Sequence, residues 1–171
     1  MKKTVLLLAV LLAATMAVSA QKSKSNQSKT LVAYFSATGT TRDAAEILAR
    51  EHSAVLWEIE AAEPYTAADL DWRNKQSRSS QEMQDEESRP TIRQCTNILP
   101  YDTIYVGYPI WWGICPRIIN SWIDNNLGQL AGKTLIPFAT SGGSDVKQSV
   151  EYLRKTYPTL KWGKGMLMNH R

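Results

Sequence analysis

The sequence predicts a three-layer α/β domain built on a doubly wound, five-stranded parallel sheet, and three observations carry that prediction. Short apolar blocks alternate with longer amphipathic segments along the chain, as in repeated βαβ units. Most of these blocks are apolar on consecutive residues, which strands covered on both faces require. The three clear helical stretches each follow a block directly. A chain of 171 residues can bury the core of one such domain and is too short for two comfortable ones.

The blocks are "TLVAYFS" (30–36), "AVLWEIE" (54–60), "TIYVGYPI" (103–110), "TLIPFAT" (134–140) and the weaker "TLKWGKGMLM" (159–168). Only the second alternates apolar with polar residues, at Glu58 and Glu60, and it suits a sheet edge. Pro137 lacks the amide a central ladder would use, so a bulge or strand start is expected near it. The first helix is expected from Thr40 or Thr41, with Ala44, Ile47 and Leu48 on its core side. The second starts at Pro116, turns Ile118, Ile119, Trp122 and Ile123 inward, and ends at "NNLG". The third is capped by Ser144 or Asp145, carries Val146, Val150, Leu153 and Tyr157 on one stripe, and stops at Pro158. The polar, densely charged stretch 65–90 reads as a charged surface helix with ragged ends.

Residues 1–20 have the layout of a secretory signal peptide: Lys2 and Lys3, an apolar run from Val5 to Leu12, and Val18 and Ala20 placed for cleavage. The apolar run is short for a bilayer span. A polar leader at 21–29 and a folded domain at 30–171 follow, and the mature protein is expected to be periplasmic or secreted, without a stable membrane anchor. The signal lysines account for half of the formal charge of +4, and the remaining cations are scattered, so nothing points to nucleic acid. Cys95 and Cys115 flank the third block. A strand of roughly eight residues rising about 3.3 Å each would separate them, which argues against a disulfide. At a helix start, Cys115 is either a reactive thiol of lowered pKa or a buried structural one.

In a parallel sheet, ligands sit beyond the carboxyl ends of the strands, where helix amides point outward. "SATGTT", Ser36 to Thr41, stands there with four hydroxyl residues around Gly39. It has neither the GxxxxGK[ST] spacing of a triphosphate loop nor the GxGxxG of a dinucleotide site, and Arg42 does not replace the missing lysine. What remains is a cradle for one phosphate monoester, neutralised mostly by hydrogen bonds. "GYPIWWGICPR", Gly107 to Arg117, places Trp111 and Trp112 at the end of the third strand, suited to a planar ring, with one of the two expected to cover the sheet end. "ATSGGSD", Ala139 to Asp145, offers Gly142 and Gly143 for backbone approach and Ser141 and Asp145 for hydrogen bonds. Together the three loops describe a planar ring carrying one phosphate tail.

On "SATGTT", "YPIWWG" followed by Pro116, and "TSGGS", the chain resembles the flavodoxin family over nearly everything from Thr30 onward. The resemblance implies strand order 2-1-3-4-5 and FMN as cofactor. It implies that Ser36, Ala37, Thr38, Gly39, Thr40 and Thr41 bind the phosphate. Pro109, Ile110, Trp111, Trp112 and Gly113 would flank the ring, and Thr140, Ser141, Gly142, Gly143 and Asp145 its other edge. The implied function is electron transfer to redox partner proteins or small acceptors. The alternative is a flavin-dependent NAD(P)H:quinone or small-acceptor reductase. Flavodoxins usually carry a final helix where this chain stops at "MLMNHR", so that flank is expected to lie open or to meet another subunit. With His52 and His170 the only histidines, neither a metal cluster nor a Ser-His-Asp triad is expected, and Ser141 lacks a GxSxG elbow.

Overall fold

In a computed structural model, which describes residues 29–169, the elements run β1 (Thr30–Tyr34), α1 (Thr40–Glu51), β2 (Val55–Glu58), α2 (Arg78–Gln84), β3 (Thr103–Pro109), α3 (Arg117–Leu130), β4 (Thr134–Thr140), α4 (Lys147–Thr156), β5 (Lys161–Trp162) and β6 (Met166–Leu167). The expected signal peptide and most of the leader lie outside the described residues, as does His170. The sheet order is β2-β1-β3-β4-β5, every pairing is parallel, and β2 is an edge as its alternation implied. The fifth position is shared by two short pieces, β5 and β6, both on β4.

Pro137 explains that division. β4 runs unbroken through it, paired with Val106 of β3 on one side. Leu135 and Ala139 turn their carbonyls to the other side, where they accept from Gly163 and Met168. Pro137 faces the same way by the two-residue period of a strand, and it has no amide to give. The register changes there, from Leu135 opposite Trp162 to Ala139 opposite Leu167, which inserts one extra residue between β5 and β6. The expected bulge therefore lies in the neighbouring chain segment and not in β4.

Alternation along the strands sorts the core into two. Leu31, Ala33, Phe35, Ile104, Val106, Tyr108 and Leu135 face α3 and α4. Val32, Tyr34, Tyr105 and Phe138 face α1, with Ile136, Met166 and Met168 half-buried on the same side. Among the described residues α1 is the only helix packed into that second cluster. At the sheet centre Phe138 lies opposite Gly107, and a Cβ on Gly107 would come within 2.1 Å of its ring. The glycine is there for space.

Two helical expectations need correction. α3 does not end at "NNLG": it continues to fully buried Leu130 and stops before Gly132, at φ +79. The inward stripe, prolonged by Asn126 and Leu130, outweighs the weak helix propensity of Gly128. The segment 65–90 is mostly turns, with only Arg78–Gln84 helical. Ser77 caps this short helix by accepting from the Ser80 amide. Turn-forming side-chain bonds compete with helix elsewhere in the segment, as where Asp69 accepts from the amide and hydroxyl of Thr66.

Both cysteines are free thiols, Cys95 exposed and Cys115 fully buried. Burial pushes the Cys115 thiol up to about 12 from 9.0, against the smaller opposing pull of Arg117. It is the structural thiol, not the reactive one. In the native protein Ellman's reagent should titrate Cys95 alone, with Cys115 roughly 10³-fold slower and appearing on denaturation. Two fast thiols would contradict this. Between pH 9 and about 12 the unfolded chain loses the Cys115 proton while the folded chain keeps it, so this group lowers stability as pH rises through that window.

Candidate functional site

The turn after β1 is organised by Ser36. Its Oγ accepts from the amides of Gly39, at 3.1 Å, and Arg42, at 3.2 Å, capping α1 from three residues before its N-cap. Gly39, the N-cap itself, has φ +98, a left-handed conformation that explains the glycine, since a Cβ there would meet nothing within 4 Å. With Ser36 committed to the helix, the exposed hydroxyls of Thr38 and Thr40 and the first-turn amides of Thr40 and Thr41 have no partner among the described residues. They are the donors available to an anion. Thr41 is buried, and its hydroxyl pairs with that of Thr140 at 2.7 Å. That bond ties the turn to the end of β4 and takes both hydroxyls away from a ligand. Arg42 is engaged by Glu58 at 2.7 and 3.0 Å, which leaves hydrogen bonds and the helix end as what the turn can offer an anion.

The segment after β3 separates its two tryptophans. Trp111 is half-buried and closes a ring of edge-on aromatic contacts with Phe35 and Tyr65, all centroids 5.6–5.7 Å apart. It is the one that covers the sheet end. Trp111 and Ile114 exchange backbone hydrogen bonds across a tight turn in which Trp112 has φ 47 and Gly113 φ 85, the signature of a type I′ turn. A left-handed tryptophan costs about 1–2 kcal/mol. It also leaves the Trp112 ring projecting, 51% exposed.

These loops border a cleft of about 460 Å³ lined by Ala37, Thr38, Pro109, Ile110, Trp111 and Trp112, a size in the range of small-molecule sites. Its far wall comes from Leu70, Trp72 and Ser79, which sequence reasoning missed. The available signal was Trp72, a large apolar ring in an otherwise polar stretch. The Ser79 hydroxyl is buried without a hydrogen-bond partner, an orphaned polar group in the wall. That wall is anchored from below. Arg117, itself buried, donates to the Met83 carbonyl and, at 2.7 Å, to the Tyr152 hydroxyl. Arg78 lies 4.1 Å over the Tyr65 ring while pairing with Glu82, which also accepts from the Tyr65 hydroxyl. Burial and the Glu82 carboxylate push the Tyr65 phenol well above its ordinary value.

Residues 29–171 match the family model described as flavodoxin. The chain belongs to the flavodoxin family. Among solved structures, a protein classed as a flavoprotein from Bacteroides eggerthii is 53% identical, with a TM-score of 0.81 over 85% of this chain and 91% of that one. Its counterpart from Bacteroides uniformis is 51% identical, with a TM-score of 0.79 over 84% and 91%. A flavoprotein from Lactobacillus acidophilus, solved in complex with FMN, shares the fold at 23% identity, with a TM-score of 0.69 over 82% and 93%. No curated protein matches the chain.

The third loop of this flavodoxin does not border the cleft. The Ser141 hydroxyl accepts from the amides of Gly143 and Ser144, its amide donates to Asn169, and Asp145 accepts from the Lys147 amide at 3.4 Å. The N-cap of α4 is Val146, one residue after Asp145 and two after Ser144, the two caps expected. No atom lies within 4 Å of where a Cβ would project from Gly142 or Gly143, so the loop leaves open space on that side. The second loop touches α4 instead, through Gln148, 2.8 Å from a Cβ at Gly113. His52 stacks on Tyr105, in the cluster on the α1 side of the sheet.

Proposed function

We propose that the protein binds FMN in this cleft and works as an electron carrier. The observation that carries the reading is the convergence of Ala37, Thr38 and Pro109–Trp112 on one cleft, next to a helix start whose free donors suit one phosphate. Thr38 and Thr40, with the amides of Thr40 and Thr41, would hold the phosphate. Pro109–Gly113 would meet the ring with backbone and indole, and Ser141–Gly143 and Asp145, which stand outside the cleft itself, would meet a ring edge that projects beyond it. Bound FMN supplies one- and two-electron chemistry that no side chain here provides. The chain's own part is to bind and orient the cofactor and to shield it from water, through Trp111, which edge-on contacts with Phe35 and Tyr65 hold in place.

A second reading, reduction of quinones or other small acceptors with a nicotinamide donor, is favoured by one feature: the Trp112 side of the cleft is open, with Trp72 exposed opposite. The test is a visible spectrum of the purified mature protein titrated with FMN, then with reductant. FMN binding at micromolar concentration with uptake of electrons one at a time supports the carrier. Rapid NADH or NADPH oxidation supports the reductase, and absence of binding defeats both. The first twenty residues support export, which makes the redox partners extracytoplasmic; N-terminal sequencing of the mature protein checks cleavage after Ala20.

A further inference from the structure

A second cleft, of about 550 Å³, lies beside the first, and the two share walls: Trp72 and Trp112 border both. These indoles are 66% and 51% exposed, whereas Trp57, Trp111, Trp122 and Trp162 are half-buried or buried. Arg73 and Lys75 contribute the charge of the second cleft, Ser80 and Gln84 its remaining polar groups, and no carboxylate residue lines it. The Arg73 guanidinium lies 5.1 Å from the centroid of the Trp72 ring. Neither cation forms an ion pair with another described residue. The neighbouring acid, Asp71, uses Oδ1 to accept from the Arg73 amide.

We propose that this second cleft binds a planar aromatic anion, with the indoles of Trp72 and Trp112 taking its ring and Arg73 and Lys75 its negative substituent. Exposed indoles gain most from a flat apolar face, and cations without an ion pair among the described residues, at the same opening, favour a ring that carries charge. An uncharged aromatic would use only the walls, and an aliphatic anion only the cations. Because the walls are shared, the ligand would lie next to the occupant of the first cleft. That this neighbour is a flavin rests on the reading above, but the binding itself does not. With a flavin there, the class of redox partner it names is an anionic quinone or a similar charged aromatic acceptor.

The test uses the mature protein, with and without FMN, and follows anthraquinone-2-sulfonate by calorimetry and tryptophan quenching, against uncharged 2-(hydroxymethyl)anthraquinone. The sulfonate should bind more tightly. The double substitution Arg73→Gln with Lys75→Gln should weaken it about tenfold, as two exposed charges imply, and added salt should act in the same direction. That variant should leave FMN affinity within twofold, while Trp72→Ala should weaken both probes. Equal affinity for the two probes, no effect of the charge substitutions, or displacement of FMN by the probe would overturn the proposal. Selective sulfonate binding without FMN binding would instead defeat the flavin reading and leave this site standing.

Discussion

Replacing Thr38 and Thr40 together by alanine is expected to weaken FMN about 100-fold and riboflavin less than threefold. Each hydroxyl is exposed and uncommitted among the described residues, and a hydrogen bond to a charged group contributes about 1.5–3 kcal/mol. Losing two therefore costs on the order of 3 kcal/mol, which is about two decades of affinity. Riboflavin lacks the phosphate and should not register the change. The fold should be indifferent, because Thr38 precedes the helix and alanine is the better helix former at Thr40. Parallel titrations of the two ligands decide the matter, and equal losses would sink the cradle assignment. Thr41→Ala serves as the contrast: its buried bond to Thr140 predicts lost stability with a similar loss for both ligands.

Gly107→Ala is expected to destabilise the protein by about 3 kcal/mol, at the upper end of what overpacking costs. The new methyl would sit 2.1–2.6 Å from three carbons of the Phe138 ring. That ring is fully buried between β4 and α1, so it cannot swing aside without opening the core. Phe138→Leu alone should also destabilise, but combined with Gly107→Ala it should recover part of the loss, since the two residues face each other across β3 and β4. Denaturant midpoints for the two single variants and the double variant measure the coupling. Strict additivity would show that the packing at the sheet centre is looser than the structure describes.

What could be read in advance and what could not follow from the range of the interactions involved. The turn Ser36–Thr41 was legible because its signals are local: an apolar strand, a glycine, hydroxyls and a helical stripe within twenty residues. The role of Ser36 was not, since a hydroxyl that caps α1 and one that binds phosphate look alike in a string of letters. The pairing of Thr41 with Thr140 spans 99 residues and leaves no trace in either loop. The adjacent tryptophans at 111 and 112 were correctly expected to differ, but Phe35 and Tyr65 decide which one is covered. The composition of the polar stretch 65–90 implies a charged surface helix with ragged ends. Its turns instead dock through Tyr65, Arg78 and Arg117, and they place Trp72 and Ser79 in the cleft wall. The third loop resembles the other two in its glycines, but the Ser141 hydroxyl and Asp145 accept from amides of the loop and of the start of α4, and no residue of the loop lines the cleft.

By itself the sequence determined the alternation of strand and helix, the edge position of β2, the hydroxyl-rich turn at a helix start, and the break in pairing that a proline inside β4 imposes. Those depend on periodicity and backbone chemistry within a few residues. Only the tertiary structure decided that the break appears between β5 and β6, that Trp111 is floor and Trp112 rim, and that a charged turn segment completes the cleft. Those depend on which distant side chains compete for the same buried volume and the same hydrogen bonds, and that competition exists only once the chain has closed on itself.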